Sequence, residues 1–98
     1  MADVEFTGEV VEWRGPAPFH FLVTPPEESA WLTDIMRDVT YGWGMIPVGA
    51  RIGGTSWETS LWPKDDLYVL PVKTTVRTAE EIDEGDVVTV EMTVKGPR

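Results

Sequence analysis

Cysteine is absent from this chain of 98 residues. That excludes a disulfide framework, a thiol nucleophile and a zinc–thiolate centre. Histidine occurs once, as His20, so a catalytic device built on imidazole has a single candidate. Basic residues are scarce: eight face seventeen acidic ones, for a formal net charge of -9. The cations are dispersed as Arg14, Arg37, Arg51, Lys64, Lys73, Arg77, Lys95 and Arg98. Such a chain repels polyanions at long range, and the basic face that nucleic-acid binding needs is missing from the pattern. Nucleic acid is therefore disfavoured as a partner. No apolar run approaches the roughly 18 residues of a membrane span, and the acidic start MADVEF is unlike a secretory leader. The expectation is a cytoplasmic protein without membrane contact. Residues 1–95 are read as one β-barrel domain and 96–98 as a tail.

What the chain does have is tryptophan. Three of its five tryptophans fall in the stretch Gly42–Pro63, GWGMIPVGARIGGTSWETSLWP. Gly53-Gly54 flanked by alternating apolar residues predicts a β-hairpin, because glycine reaches the positive φ of the primed turns without strain. The turn sets the register: Ile52 opposite Thr55, Ala50 opposite Trp57, Val48 opposite Thr59, Ile46 opposite Leu61. Opposite residues share a face. Ile46, Val48, Ala50, Ile52, Trp57 and Leu61 form a dry side, and Met45, Pro47, Gly49, Arg51, Ser56, Glu58, Ser60 and Trp62 the other. Pro47 cannot donate to a ladder and predicts a sheet edge or bulge.

Elsewhere, period-two alternation predicts a strand over 4–13 with Val4, Phe6, Gly8 and Val10 on one face, and a short strand carrying Phe19, Phe21 and Val23 inward. Thr24, Pro25 and Glu27 read as a capping box opening a helix to about Asp38, with an apolar stripe of Trp31, Ile35 and Val39 beside Leu32 and Met36. Trp31 and Trp57 are assigned to the core. Pro63 to Asp66 is a turn, 67–72 a strand and Lys73 to Glu81 a short helix with Val72, Val76 and Ala79 on one side. After Gly85-Asp86 the last strand points Val88, Val90, Met92 and Val94 inward. The fold expected is mainly β: a small closed or double-split barrel of about six strands with two short helices. Strand–helix succession at 19–23 and again at 67–70 faintly echoes a repeat.

Several of these residues resemble, in order, a small bacterial family, the domain-of-unknown-function family 1905. They are Gly42-Trp43-Gly44, Ile46-Pro47-Val48, Ile52 through Trp57, Thr59-Ser60-Leu61, Pro63, Tyr68, Leu70 through Lys73, Val76-Arg77, Ala79-Glu80 and Gly85-Asp86. The resemblance implies a double-split β-barrel related to antitoxin and transition-state-regulator DNA binders. It implies no settled activity. Some relatives carry a further domain linked to bacteriocin protection, which is not expected here. Relatives are often more basic, with a cation where this chain has Glu58, which weakens a DNA role.

Three functions compete. The first is a non-catalytic binding module for a small molecule, peptide or protein, its groove formed by Trp43, Trp62 and Tyr68 with Lys73 and Arg77 as an anion anchor. Indoles supply large contact area at low entropic cost, and Lys73 and Arg77 lie four apart on one helical face. The plainer reading pairs Arg77 with Glu80 or Glu81. The second is a small enzyme using His20 with a carboxylate, against which stands an ordinary surface or hydrogen-bonded histidine. The third is a nucleic-acid-binding barrel. Gly54-Thr55-Ser56-Trp57-Glu58 lacks the final glycine and the strand-to-helix setting of a nucleophile elbow. The run Glu80, Glu81, Asp83, Glu84, Asp86 lacks calcium-loop spacing and reads as a solvated helix end. No catalytic residue, metal or cofactor is assigned, and a monomer or weak homodimer is expected.

Overall fold

The computed structural model describes residues 4–16, 18–39 and 45–95, with backbone alone over 33–39. Trp43, the proposed tail 96–98 and the side chains of Ile35, Met36 and Val39 lie outside the described residues. Along the chain come β1 (Val4–Glu9), β2 (Val11–Trp13), β3 (Phe19–Val23), α1 (Pro26–Val39), β4 (Ile46–Ile52), β5 (Thr55–Lys64), β6 (Leu67–Val72), α2 (Thr74–Glu80) and β7 (Val87–Val94). The strand order is β1-β7-β4-β5-β6-β3-β2, and every neighbouring pair is antiparallel.

The hairpin β4–β5 has the register the two glycines predict, from Ile52↔Thr55 to Ile46↔Leu61. Only Gly53 of the pair has a positive φ, 59°, as a type II′ turn requires at its first central position. Ile46, Val48, Ala50, Ile52, Trp57 and Leu61 are all buried. Fully burying each large aliphatic among them contributes about 1.5–3 kcal/mol. The indole of Trp57 also donates through Nε1 to the Pro71 carbonyl at 3.1 Å, so its polar end is satisfied inside.

The sheet is a curled, open half-barrel of seven strands, not a closed barrel of six. The difference arises at Val10. The stretch expected to form one strand over 4–13 leaves its ladder there: Val10 N–H donates to Asp86 O and Gly85 N–H donates to Val10 O, both at 2.8 Å. The part before Val10 pairs with β7, and the part after it pairs with β3. One chain segment thus reaches both ends of the strand order. Gly8 brings the ends close, since a Cβ there would lie 3.4 Å from Leu22 Cδ2. No ladder joins β1 to β3 among the described residues.

Pro47 sits in a central strand, not at an edge or bulge. Its carbonyl accepts from Lys95 N–H at 2.7 Å, beyond the last β4–β7 pair, Val48↔Val94. Nitrogen and carbonyl of one strand residue point to the same side, so its missing donor falls where the β7 ladder stops.

β3 presents the opposite face from the one expected. Leu22 is fully buried and Val23 is 36% exposed. The pairs His20↔Val72 and Leu22↔Leu70 put those residues on the inner side, and Phe21↔Pro71 and Val23↔Val69 on the outer. Phe21 is buried nonetheless, beneath other outer-face aromatics, so both faces of FHFLV are apolar and period two could not choose between them. Tertiary packing also overrides the expected capping box. The Thr24 hydroxyl meets Ser29 Oγ and accepts from Tyr68 N–H at 3.2 Å, which ties the start of α1 to β6; helix α1 begins at Pro26. Trp31 is 38% exposed, not core, while Leu32 beside it is fully buried.

β6 and β7 match expectation, with Val90 and Met92 buried and Val88 and Val94 packed against the core. The turn before β6 is shorter than expected: β5 runs through Lys64, leaving Asp65-Asp66 with φ of 52° and 68°. Helix α2 buries Val76; Ile82, rather than the exposed Ala79, completes its apolar side. It ends at Glu81 in the left-handed region, φ 54°, with Ile82 N–H donating to Arg77 O at 2.9 Å. No described helix is long and apolar enough to cross a membrane.

Candidate functional site

The chain order β5-β6-β3-β2 carries aromatic residues on the outer face of the sheet. Trp62 pairs across from Val69, Phe21 from Pro71, and Trp13 from Phe19. Phe19 stacks on Trp62 with centroids 5.7 Å apart and planes 28° apart, and meets Phe21 at 5.4 Å. The Phe19–Trp62 pair lines a cleft of about 500 Å³ that is also lined by Glu12, His20, Lys73 and Arg77. The start of α2 contributes Thr74 and Arg77 to the lining. Lys73, extended at φ -66° and ψ 149°, joins β6 to α2 as the residue capping the helix, and Arg77 follows one turn later.

Three of the residues expected to form the groove therefore share one cavity: Trp62, Lys73 and Arg77. Tyr68 does not join them. It is 3% exposed and packs in the core, because its register in β6 points it inward with Leu70 and Val72. Trp43 lies outside the described residues. Phe19, His20 and Glu12 were not placed in the groove by sequence reasoning, though the apolar character of both faces of FHFLV is the signal that could have drawn attention to them.

Arg77 is not paired with Glu80 or Glu81. Its nearest carboxylate is Asp83, at 4.0 Å, and its Nε is buried without a hydrogen-bond partner among the described residues. A buried guanidinium donor left unmet is costly. Glu80 is unavailable to it, since its carboxylate accepts from the Thr55 hydroxyl and lies against Gly53. His20 is half-buried, and its Nε2 stands 3.8 Å from Glu12 Oε2; Arg14 stands 3.2 Å from the other oxygen of Glu12.

A second concavity, about 510 Å³, lies over β5-β4-β7. Its charges are matched across strands: Arg51 pairs with Glu91, and Lys95 crosses Gly49 to reach Glu58. The hydrogen bond from Lys95 and the proximity of its charge, with a smaller contribution from Lys73, hold the Glu58 carboxyl below its ordinary value. With its cations already committed, this surface offers an anion less than the cleft does.

The acidic run after α2 is structural. Glu84 accepts from Arg14 at 2.7 Å, and Asp86 Oδ2 accepts from Asp83 N–H at 2.8 Å. No group of three or more metal-ligating side chains comes together among the described residues.

With this geometry in view, comparison with known proteins finds a family model described as a domain of unknown function (DUF1905), which matches residues 6–92. No curated protein matches the chain.

Proposed function

The chain belongs to the DUF1905 family, a domain of unknown function, and we propose that it is a binding module for a small organic anion, held in the cleft between Trp62 and Arg77. The ligand class follows from the walls. The Phe19–Trp62 stack suits a planar or apolar body, and Lys73 with Arg77 suits a carboxylate or phosphate. The observation that carries the reading is that Lys73 and Arg77 line the same ligand-sized cavity as the Phe19–Trp62 stack. In a chain of net charge -9, two cations on one cavity also give an anion a favourable landing place.

Tryptophan fluorescence titrated with benzoate, naphthoate and inorganic phosphate tests this. Naphthoate is expected to shift or quench the emission, and Trp62→Ala to remove the response. Arg77→Gln weakens binding about tenfold or more, the loss expected for a hydrogen bond to a charged group. Unchanged affinity in Arg77→Gln refutes the anchor, and an unchanged response in Trp62→Ala refutes the stacking wall.

A second reading has one observation in its favour. His20 and Glu12, 3.8 Å apart in the same cleft, are the histidine and carboxylate a small hydrolytic or proton-transfer enzyme would use. A substrate screen decides: any turnover that survives in full in His20→Ala ends that reading.

A further inference from the structure

The other side of the Phe19–Trp62 pair is a separate pocket of about 290 Å³, lined by Trp13, Phe19, Phe21, Trp62, Val69 and Lys64. Four aromatic rings there face one space, and a cation already stands in it. Lys64 Nζ lies 4.8 Å from the centre of the Trp13 ring and 5.7 Å from that of Phe21. Both distances are within the range in which a ring quadrupole attracts a positive charge. We propose that this pocket is an aromatic cage for a quaternary or methylated ammonium group, and that Lys64 occupies it in the free protein as an internal competitor.

Three observations converge. The cage is built rather than incidental: Trp13 lies folded onto Gly15, where a Cβ would come 2.3 Å from the indole Nε1, so only glycine lets the ring take this position. The rings are partly open to solvent, with Trp13 46% and Trp62 38% exposed, so a ligand can enter once Lys64 leaves. The charge is right for a cation. The chain carries -9 in all, Asp65 and Asp66 follow Lys64 directly, and the nearby Arg14 is engaged by Glu12 and Glu84 at 3.2 and 2.7 Å. Lys64 sits in a position where it can withdraw, at the last residue of β5 and exposed. An ordinary ammonium is strongly hydrated and held here on a flexible stem; a methylated one sheds water more readily and gains more from the rings. The inference goes beyond the anion cleft and does not rest on it, since the two pockets meet only at Phe19 and Trp62.

The test is a titration of the full chain and of Lys64→Ala with tetramethylammonium, choline and the uncharged tert-butyl isostere of choline, followed by the indole resonances of Trp13 and Trp62. Choline and tetramethylammonium are expected to bind Lys64→Ala about fivefold tighter than the native chain, the factor for releasing one exposed ring–cation contact. Trp13→Ala is expected to remove the gain. Lys64→Met, which keeps the apolar stem without the charge, reports the same gain if the alanine variant folds poorly. An isostere that binds as well as choline, or affinity unaltered in both Lys64 variants, overturns the proposal.

Discussion

Replacing Gly53 with alanine tests how the hairpin is fastened to α2. Gly53 has φ 59°, in the left-handed half of backbone space that costs an L-residue about 1–2 kcal/mol. An alanine Cβ would also stand 2.3 Å from Glu80 Oε1 and 3.1 Å from its Cδ. The carboxylate would have to swing aside and release the Thr55 hydroxyl. That partly buried, charge-assisted hydrogen bond is worth on the order of 1–2 kcal/mol. The two contributions together predict a loss of about 2–4 kcal/mol. In a chain of 98 residues, 1 kcal/mol moves Tm by about 5 °C, so the expected fall is about 10–20 °C. Urea unfolding of Gly53→Ala, Glu80→Ala and the pair separates the parts. With Glu80 removed, only the backbone cost of about 1–2 kcal/mol survives, and the coupling energy is about 1–2 kcal/mol. Equal costs in both backgrounds refute the contact with α2. A cost under about 0.5 kcal/mol refutes the turn itself.

Three further outcomes are expected. Leu22→Ala should cost about 2–5 kcal/mol by denaturant unfolding, and Val23→Ala less than about 1 kcal/mol; the reverse order would mean that β3 faces the other way. Asp66→Gly should stabilise by about 0.5–1 kcal/mol, because glycine takes the φ of 68° without strain, and a fall in Tm counts against a primed turn there. Glu58 should titrate below the ordinary glutamate range by carboxyl NMR, and Lys95→Ala should return it upward. Because the folded value is depressed, the stabilisation from this pair is present above the unfolded value and is lost as pH falls through the folded one. A Glu58 midpoint unaltered by Lys95→Ala disposes of the pairing.

How much of the site was legible depended on what each residue's neighbours were. Trp62 could be assigned to the outer face because it follows Leu61 in a strand whose phase two glycines had set. Arg77 could be placed beside Lys73 because helical spacing is local. Their meeting with Phe19 and His20 was not legible, because it depends on β3 lying next to β6, a pairing between residues some fifty positions apart. Tyr68 shows the same limit from the other side. LYVLPV is apolar at nearly every position, so nothing in it told which alternate residues would turn inward. The short strand FHFLV was misread for that reason.

By itself, then, the order of residues determined the hairpin, its register, the last strand, the two helices and the split of most side chains into dry and wet. Each of those rests on periodicity, turn chemistry or charge within a short span, where the chain's own geometry leaves little choice. The tertiary structure alone decided that the segment through Val10 serves both ends of the sheet, that the sheet stays open, and that the outer aromatics divide into a cleft with Arg77 and a cage around Lys64. Those outcomes depend on contacts between distant strands, whose free energies are settled by packing and are not written in any one stretch.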